Sequence, residues 1–219
     1  MTTIQNLRDQ IEGHMKVIRK YQEDIENLIT YWTPGGKILN VGCSTGYETI
    51  ALMWFLRANC VIGLDKNLSK VHTHALELKE NLWVYDFKLP SNGLVEDKKW
   101  WENEVPRFLR EGHFPIFLEE DISQFYNNFP QFKTLFDLVY WSKVMGQVHE
   151  FQKRPAVISA IEGIYYMTKF DAWVIVEHEH VGNDLDYLQE EFIRVGFEVI
   201  DEGCEYFMCL HKVRNPEHS

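Results

Sequence analysis

Residues 38–52 read ILNVGCSTGYETIAL. Apolar side chains rise through Ile38, Leu39 and Val41, the chain turns at Gly42-Cys43-Ser44-Thr45-Gly46, and helical spacing resumes at Ile50 and Ala51. A strand, a tight loop and a helix in this order make a turn over which a ligand can lie. Two chemistries compete for it. Gly42-x-Ser44-x-Gly46 has the pattern of a nucleophile elbow, where a serine sits on a strained turn. It also has the pattern of a nucleotide-binding turn whose middle glycine has become serine.

Bulk properties narrow the field. The chain has 219 residues, enough for one domain with a proper core, and its 45% hydrophobic and 25% charged content is that of a globular protein. No window approaches the roughly 18 consecutive apolar residues of a membrane span, and MTTIQNLRDQIEGH at the start has no apolar secretory core. Cys43, Cys60, Cys204 and Cys209 form no C-x-x-C pair, which predicts reduced thiols, a cytoplasmic location and no metal site. The formal charge of −11 opposes binding to phosphate backbones, so no nucleic-acid partner is expected.

Along the chain, Ile4, Leu7, Ile11, His14, Ile18, Tyr21, Ile25 and Leu28 recur three and four apart, which predicts one amphipathic helix within residues 1–34. It would cover the main domain, form the seam of a homodimer, or act as a lid. From residue 35 to 213 strands and helices alternate. Strands are predicted at 37–42, 60–65, 115–120, 135–141 and 172–178, and helices at 46–57, 67–80, 154–168 and 184–195. Alternation of this kind predicts a mostly parallel sheet covered on both faces, a three-layer α-β-α sandwich. Phe197–Ile200 and Tyr206–Leu210, separated by Asp201-Glu202-Gly203, predict a closing antiparallel hairpin. An insertion at about 81–114 carries Trp83, Trp100 and Trp101, either as its own small core or as a cover for a substrate, and residues 214–219 form a tail.

The hydrolase reading needs Ser44 followed by an acid and a histidine, here Asp137 or Asp171 and then His178 or His211. The loop follows the first strand of the sheet, so no earlier strand and loop can supply oxyanion donors. The nucleotide reading has its own support. The strand Cys60–Leu64 ends in Asp65, 19 residues past Gly46, and an acid about 20 residues beyond such a turn is where ribose hydroxyls are gripped. Asp65 could instead cap the next helix. Tyr47 stands where a pyrophosphate binder wants a third glycine, and no Lys or Arg follows until Arg57. The loop therefore suits a nucleoside without phosphates.

These residues resemble a family. Ile38-Leu39-Asn40-Val41-Gly42-Cys43-Ser44-Thr45-Gly46 is similar to the first motif of class I S-adenosylmethionine-dependent methyltransferases, V-L-D-x-G-C-G-T-G. The resemblance runs over residues 35–212, through Asp65, Glu120-Asp121-Ile122, Phe136-Asp137-Leu138-Val139-Tyr140-Trp141-Ser142 and the closing hairpin. It implies a seven-stranded Rossmann-like sheet with an antiparallel last strand, and S-adenosyl-L-methionine as cofactor. Asn40, Gly42, Cys43, Ser44, Thr45 and Gly46 would lie along the methionine portion and ribose. Asp65, with Lys66 beside it, would hold the ribose. Asp121 would accept from the adenine amino group and the Ile122 N–H would meet a ring nitrogen. Trp141 and Ser142 would border the sulfonium and the substrate.

Two departures stand out. Asn40 replaces the family's common acid beside the methionine ammonium, and an amide gives a weaker hydrogen bond than a carboxylate does. Ser44 replaces the middle glycine, although the Cys-Ser-Thr-Gly run is similar to the loop of chemoreceptor glutamate methyltransferases. His149, past the fourth strand, and His178, at the end of the fifth, are the candidate catalytic bases. Glu177-His178-Glu179-His180 alternates across a strand, so it does not converge on a metal. The resulting expectation is methyl transfer to a small-molecule acceptor. The alternatives are a non-catalytic cofactor-binding partner subunit, a protein-carboxylate methyltransferase, and a serine hydrolase using Ser44.

Overall fold

The computed structural model describes residues 35–44, 46, 48, 49, 52, 56, 58–69, 116–142, 154–177, 185–200 and 207–213. The expected N-terminal helix, the insertion with its tryptophans, the tail, Thr45, His149 and His178 lie outside the described residues. Seven strands form one sheet: β1 (Lys37–Val41), β2 (Cys60–Asp65), β3 (Ile116–Glu119), β4 (Phe136–Trp141), β5 (Thr168–Glu177), β6 (Phe197–Ile200) and β7 (Phe207–Lys212). Their spatial order is β3-β2-β1-β4-β5-β7-β6. β7 runs antiparallel to both β5 and β6, and the other neighbouring pairs are parallel. The expected hairpin is present, with β7 inserted between β5 and β6 so that β6 forms the edge.

Three described helices, α1 (Ile122–Asn128), α2 (Arg154–Met167) and α3 (Leu185–Val195), supply apolar side chains to one face of the sheet. Leu39, Val41, Ile62, Leu64, Val139 and Trp141 point into that core, beside Phe125, Ile161, Ile164 and Phe192 of the helices. The opposite face gathers Ile38, Val61, Leu138, Tyr140 and Ile175 under Leu52 and Leu56 of the segment after β1. Burial on both faces explains why the central strands read as continuous apolar runs rather than alternating ones.

Two elements differ from expectation. Helix α1 was not foreseen: it is seven residues long with two buried anchors, Ile122 and Phe125, too few to set up a visible period. Its start signal was in the sequence, since Asp121 is its N-cap and accepts from the Ser123 N–H at 2.9 Å. Strand β5 begins at Thr168 rather than 172, immediately after α2. Its first residues include exposed Phe170 and Asp171, the latter at φ 62°, and the pairing with β4 shifts between Phe136 and Leu138. An apolar pattern therefore becomes legible only from Ala172.

The C-terminal end of α2 is closed by β7. Lys212 is buried and donates from Nζ to the carbonyls of Tyr165 at 2.6 Å and Thr168 at 2.7 Å, with the Tyr165 ring centroid 3.9 Å away. A cation at this end complements the helix dipole. Burial, with a smaller contribution from Lys133, pushes the Lys212 ammonium down from 10.5 to about 8. Between those two values the unfolded chain holds a proton that the folded chain has released, so raising the pH across that window favours folding. Urea unfolding near about pH 7.5 and about pH 9.5 is expected to show wild type gaining stability relative to Lys212→Met at the higher pH. A constant difference between the two proteins would contradict the lowered value.

Beside Asn40 in the register lies Gly63. A Cβ there would sit 2.7 Å from Phe117 Cδ1 and 2.9 Å from Thr49 Oγ1. Gly63→Ala is expected to destabilise the fold by roughly 1–3 kcal/mol, as overpacking does, read as a lowered urea midpoint.

Candidate functional site

The carboxyl ends of the central strands meet along one edge. Val41 pairs with Leu64 and Trp141, Trp141 with Val176, and Asp65 with Glu119. In open α/β sheets, ligands bind outside this edge. The loop after β1 is fastened here by three successive amides. Gly42 N and Cys43 N donate to Leu64 O at 2.7 and 3.1 Å, and Ser44 N donates to Asp65 Oδ2 at 2.9 Å. Gly46 N closes the turn on Cys43 O at 2.8 Å.

Among the described residues of the turn, Gly42 at φ 81°, Ser44 at φ 48° and Gly46 at φ 84° take left-handed backbone. Glycine takes this conformation freely, whereas a residue with a Cβ does so at a cost of roughly 1–2 kcal/mol. The positive φ at Ser44 gives a physical reason for a glycine at that position in the motif it resembles.

Asp65 is turned towards this loop. Its Oδ1 accepts from Asn67 N at 3.0 Å while Oδ2 takes the Ser44 amide. The carboxylate thus closes a turn at the start of the segment that follows β2 and also holds the loop. A carboxylate oxygen has a second lone pair, so each can still accept from a ligand hydroxyl. Lys66 is exposed next to it. Glu120 N donates to Asp65 O at 3.0 Å, which draws the end of β3 alongside. Asp121 there uses Oδ1 to cap α1, and Ile122 is the first helical residue, whose N–H is one of the donors that a helix start leaves without an intrahelical acceptor.

The floor beneath the loop is polar and buried. Asn40 is wholly buried, and its Nδ2 donates to Thr49 Oγ1 at 3.0 Å. Its Oδ1 has no hydrogen-bond partner among the described residues. Ser142, also buried, donates from Oγ to Glu48 Oε2 at 2.6 Å, and its N–H reaches Val41 O at 3.3 Å. Sequence reasoning passed over Glu48; its position two residues past the last glycine of the turn was the available signal. Trp141 is placed differently from its neighbour. Its ring lies fully buried against Phe192 of α3, with centroids 6.3 Å apart, and it meets the edge through its backbone.

The electrostatics of the loop are anionic. Burial drives the Cys43 thiol well above its usual range, and the charges of Asp65 and Glu48 push it further the same way. Cys43 is therefore a packed, protonated side chain and not a nucleophile. Two negative groups flanking one turn favour a cationic ligand over a phosphate.

Of the partners expected for a nucleophilic Ser44, Asp137, Asp171 and His211 are elsewhere, and His178 lies outside the described residues. Asp137 accepts from Lys37 N at 2.8 Å and pairs with Lys169, and Asp171 is hydrogen-bonded to His211 Nε2 at 2.8 Å. Lys37, Asp137 and Asp171 lie at or near the amino ends of β1, β4 and β5, the edge opposite the loop. The hydrolase reading loses these residues as its acid and base.

No family model and no curated protein matches the chain in sequence. Solved structures do match in three dimensions. A TehB-like SAM-dependent methyltransferase from Corynebacterium glutamicum superposes with a TM-score of 0.54 at 17% identity, over 94% of this chain and 100% of that one. The aminoglycoside resistance methyltransferase NpmB1 gives 0.51 at 13% identity, over 88% and 93%. The [4+2]-cyclase SpnF gives 0.53 at 16% identity, over 83% of this chain and 57% of SpnF. The fold is that of the class I methyltransferases. Within the methyltransferase fold, the loop after β1 and the acid ending β2 occupy the strand ends where ligands bind.

Replacing Ser44 by glycine removes the left-handed penalty at φ 48° without touching the amide that binds Asp65. Ser44→Gly is expected to leave thermal stability unchanged or raise it by up to about 1 kcal/mol. A clear loss of stability would show that the hydroxyl, and not the backbone, holds the turn.

Proposed function

We propose that the chain binds S-adenosyl-L-methionine at the carboxyl ends of β1 and β2 and transfers its methyl group to a small-molecule acceptor. The observation that carries this reading is Asp65, whose carboxylate faces the glycine loop at 2.9 Å from Ser44 N and does not turn away into solvent. When bound, S-adenosylmethionine supplies a methyl group already activated by a sulfonium. The residues present fit such a ligand. Asp65 retains acceptor capacity for the ribose hydroxyls, and the buried Asn40 Oδ1 lacks a partner among the described residues. The carboxylates beside the loop suit a cationic, phosphate-free molecule.

The protein's own contribution is to position and to desolvate. The three loop amides that bind Leu64 and Asp65 hold the turn in a single shape, so the reacting groups meet without further ordering. Buried Ser142 and half-buried Glu48 set the polar boundary where β4 ends. Proton removal, where the acceptor requires it, is assigned to His149 or His178 by their places in the chain after β4 and β5. The charge of −11 supports a small acceptor over a nucleic acid.

A second reading, cofactor binding without methyl transfer, is favoured by Asn40 standing in place of an acid, and a fold of this kind is not bound to one reaction. Titration calorimetry with S-adenosylmethionine tests the site itself. Wild type is expected to bind, and Asp65→Ala to lose at least tenfold in affinity. A normal titration for that variant would remove the ribose grip. Methylation of a metabolite panel by the wild type then separates transfer from binding alone.

A further inference from the structure

A crossover between parallel strands of one sheet is right-handed. Connections that step in opposite directions along the strand order therefore lie on opposite faces. From β3 to β4, β4 to β5 and β5 to β6 the chain steps one way, and α1, α2 and α3 all pack on one face. From β1 to β2 and from β2 to β3 it steps the other way, which puts Leu52 and Leu56 on the opposite face. No crossover serves that opposite face over β5 and β7.

This part of the face is nevertheless buried. Trp173 and Ile175 of β5 are 6% and 1% exposed, and Phe207 and Cys209 of β7 are 4% and 1% exposed. A side chain standing off a sheet is buried only under a second layer. The described apolar residues that reach this face from outside the sheet, Leu52, Leu56 and Ala58, belong to the β1–β2 connection. β5 and β7 lie two and three strands from β1, about 10 and 14 Å away at the usual strand spacing. The cover ends at a margin, since Glu198 of β6, the register partner of His211, is exposed.

We propose that the apolar stripe of residues 4–28 docks on this face over β5 and β7, so that the N-terminal helix completes the second layer of the sandwich. The segment enters the sheet on the right side for this. Residue 34 is followed by Gly35-Gly36 and β1, with Gly36 O accepting from Asn59 N at 3.1 Å, one strand from β4 and two from β5. As a helix, residues 4–28 span about 37 Å, enough for the ten residues of β5 at about 33 Å. Other stretches outside the described residues are committed to connections elsewhere. Residues 70–115 join β2 to β3 at the far end of the sheet, 143–153 and 178–184 lead from the carboxyl edge to α2 and α3 on the other face, and 201–206 join β6 to β7. Residues 214–219 are too short to form a layer.

Thiol labelling of the full-length protein, read peptide by peptide by mass spectrometry, tests the docking. Cys209 reports this face, and Cys60, equally buried in the helix-covered core, reports global unfolding. Wild type is expected to protect both. Ile18→Asp and Ile25→Asp, each putting a charge in the stripe, are expected to speed labelling of Cys209 at least about tenfold and to leave Cys60 within about twofold.

Unchanged protection of Cys209 in these variants overturns the docking. If both cysteines gain equally, Ile18→Ala and Ile25→Ala decide: Cys209 must then gain more than Cys60, and any other result overturns the docking. Loss of Cys209 protection when wild type is diluted about a hundredfold would assign the cover to a second copy of the chain, and overturns docking within one chain.

Discussion

Three consecutive amides, on Gly42, Cys43 and Ser44, end on two acceptors of the neighbouring strand, Leu64 O and Asp65 Oδ2. The rest of the site depends on this clamp. It sets the height of the turn above the sheet, and it fixes the Asp65 carboxylate against the turn. It also satisfies polar backbone that a tight turn beside a buried core would otherwise leave unpaired. The acid proposed to grip the ribose therefore also shapes the loop, so that in the proposed function structure and recognition share one side chain.

Much of this was legible from residue types alone. The glycine turn, the acid ending β2, the succession of strands along the chain and the closing hairpin are written in patterns with few structural alternatives: positive φ asks for glycine, and strands buried on both faces ask for apolar runs. What escaped was written in fewer residues or in another register. Helix α1 rests on Ile122 and Phe125, with Asp121 as its only marker. The start of β5 is hidden by the irregular backbone at Asp171. Glu48 carries no motif, because its relation to Ser142 joins residues 94 positions apart. Trp141 looked like a boundary residue from its place at a strand end, but strand alternation sends its ring into the helix-covered core against Phe192.

The charge balance links composition to the site. An acidic excess spread over the surface speaks only to solubility and to partners in bulk. Asp65 and Glu48 concentrate it at one turn, where burial weakens screening. Ser44 gives the loop a hydroxyl at a position where glycine fits more easily, yet Asp137, Asp171 and His211, offered as partners of a nucleophilic serine, lie at the opposite edge of the sheet. The same five-residue run, Gly42–Gly46, can therefore look like an elbow in sequence and lack those partners in space.

The strand order has a consequence for synthesis. β7 is the last described strand to leave the ribosome, yet it belongs between β5 and β6. Until residues 207–212 emerge, β5 has an open side, β6 has no partner, and the carbonyls at the end of α2 lack the lysine that covers them. The nascent chain thus carries an adhesive strand edge until residues 207–212 are made. Assembly of this half of the sheet has to wait for them, however early β1–β4 pair.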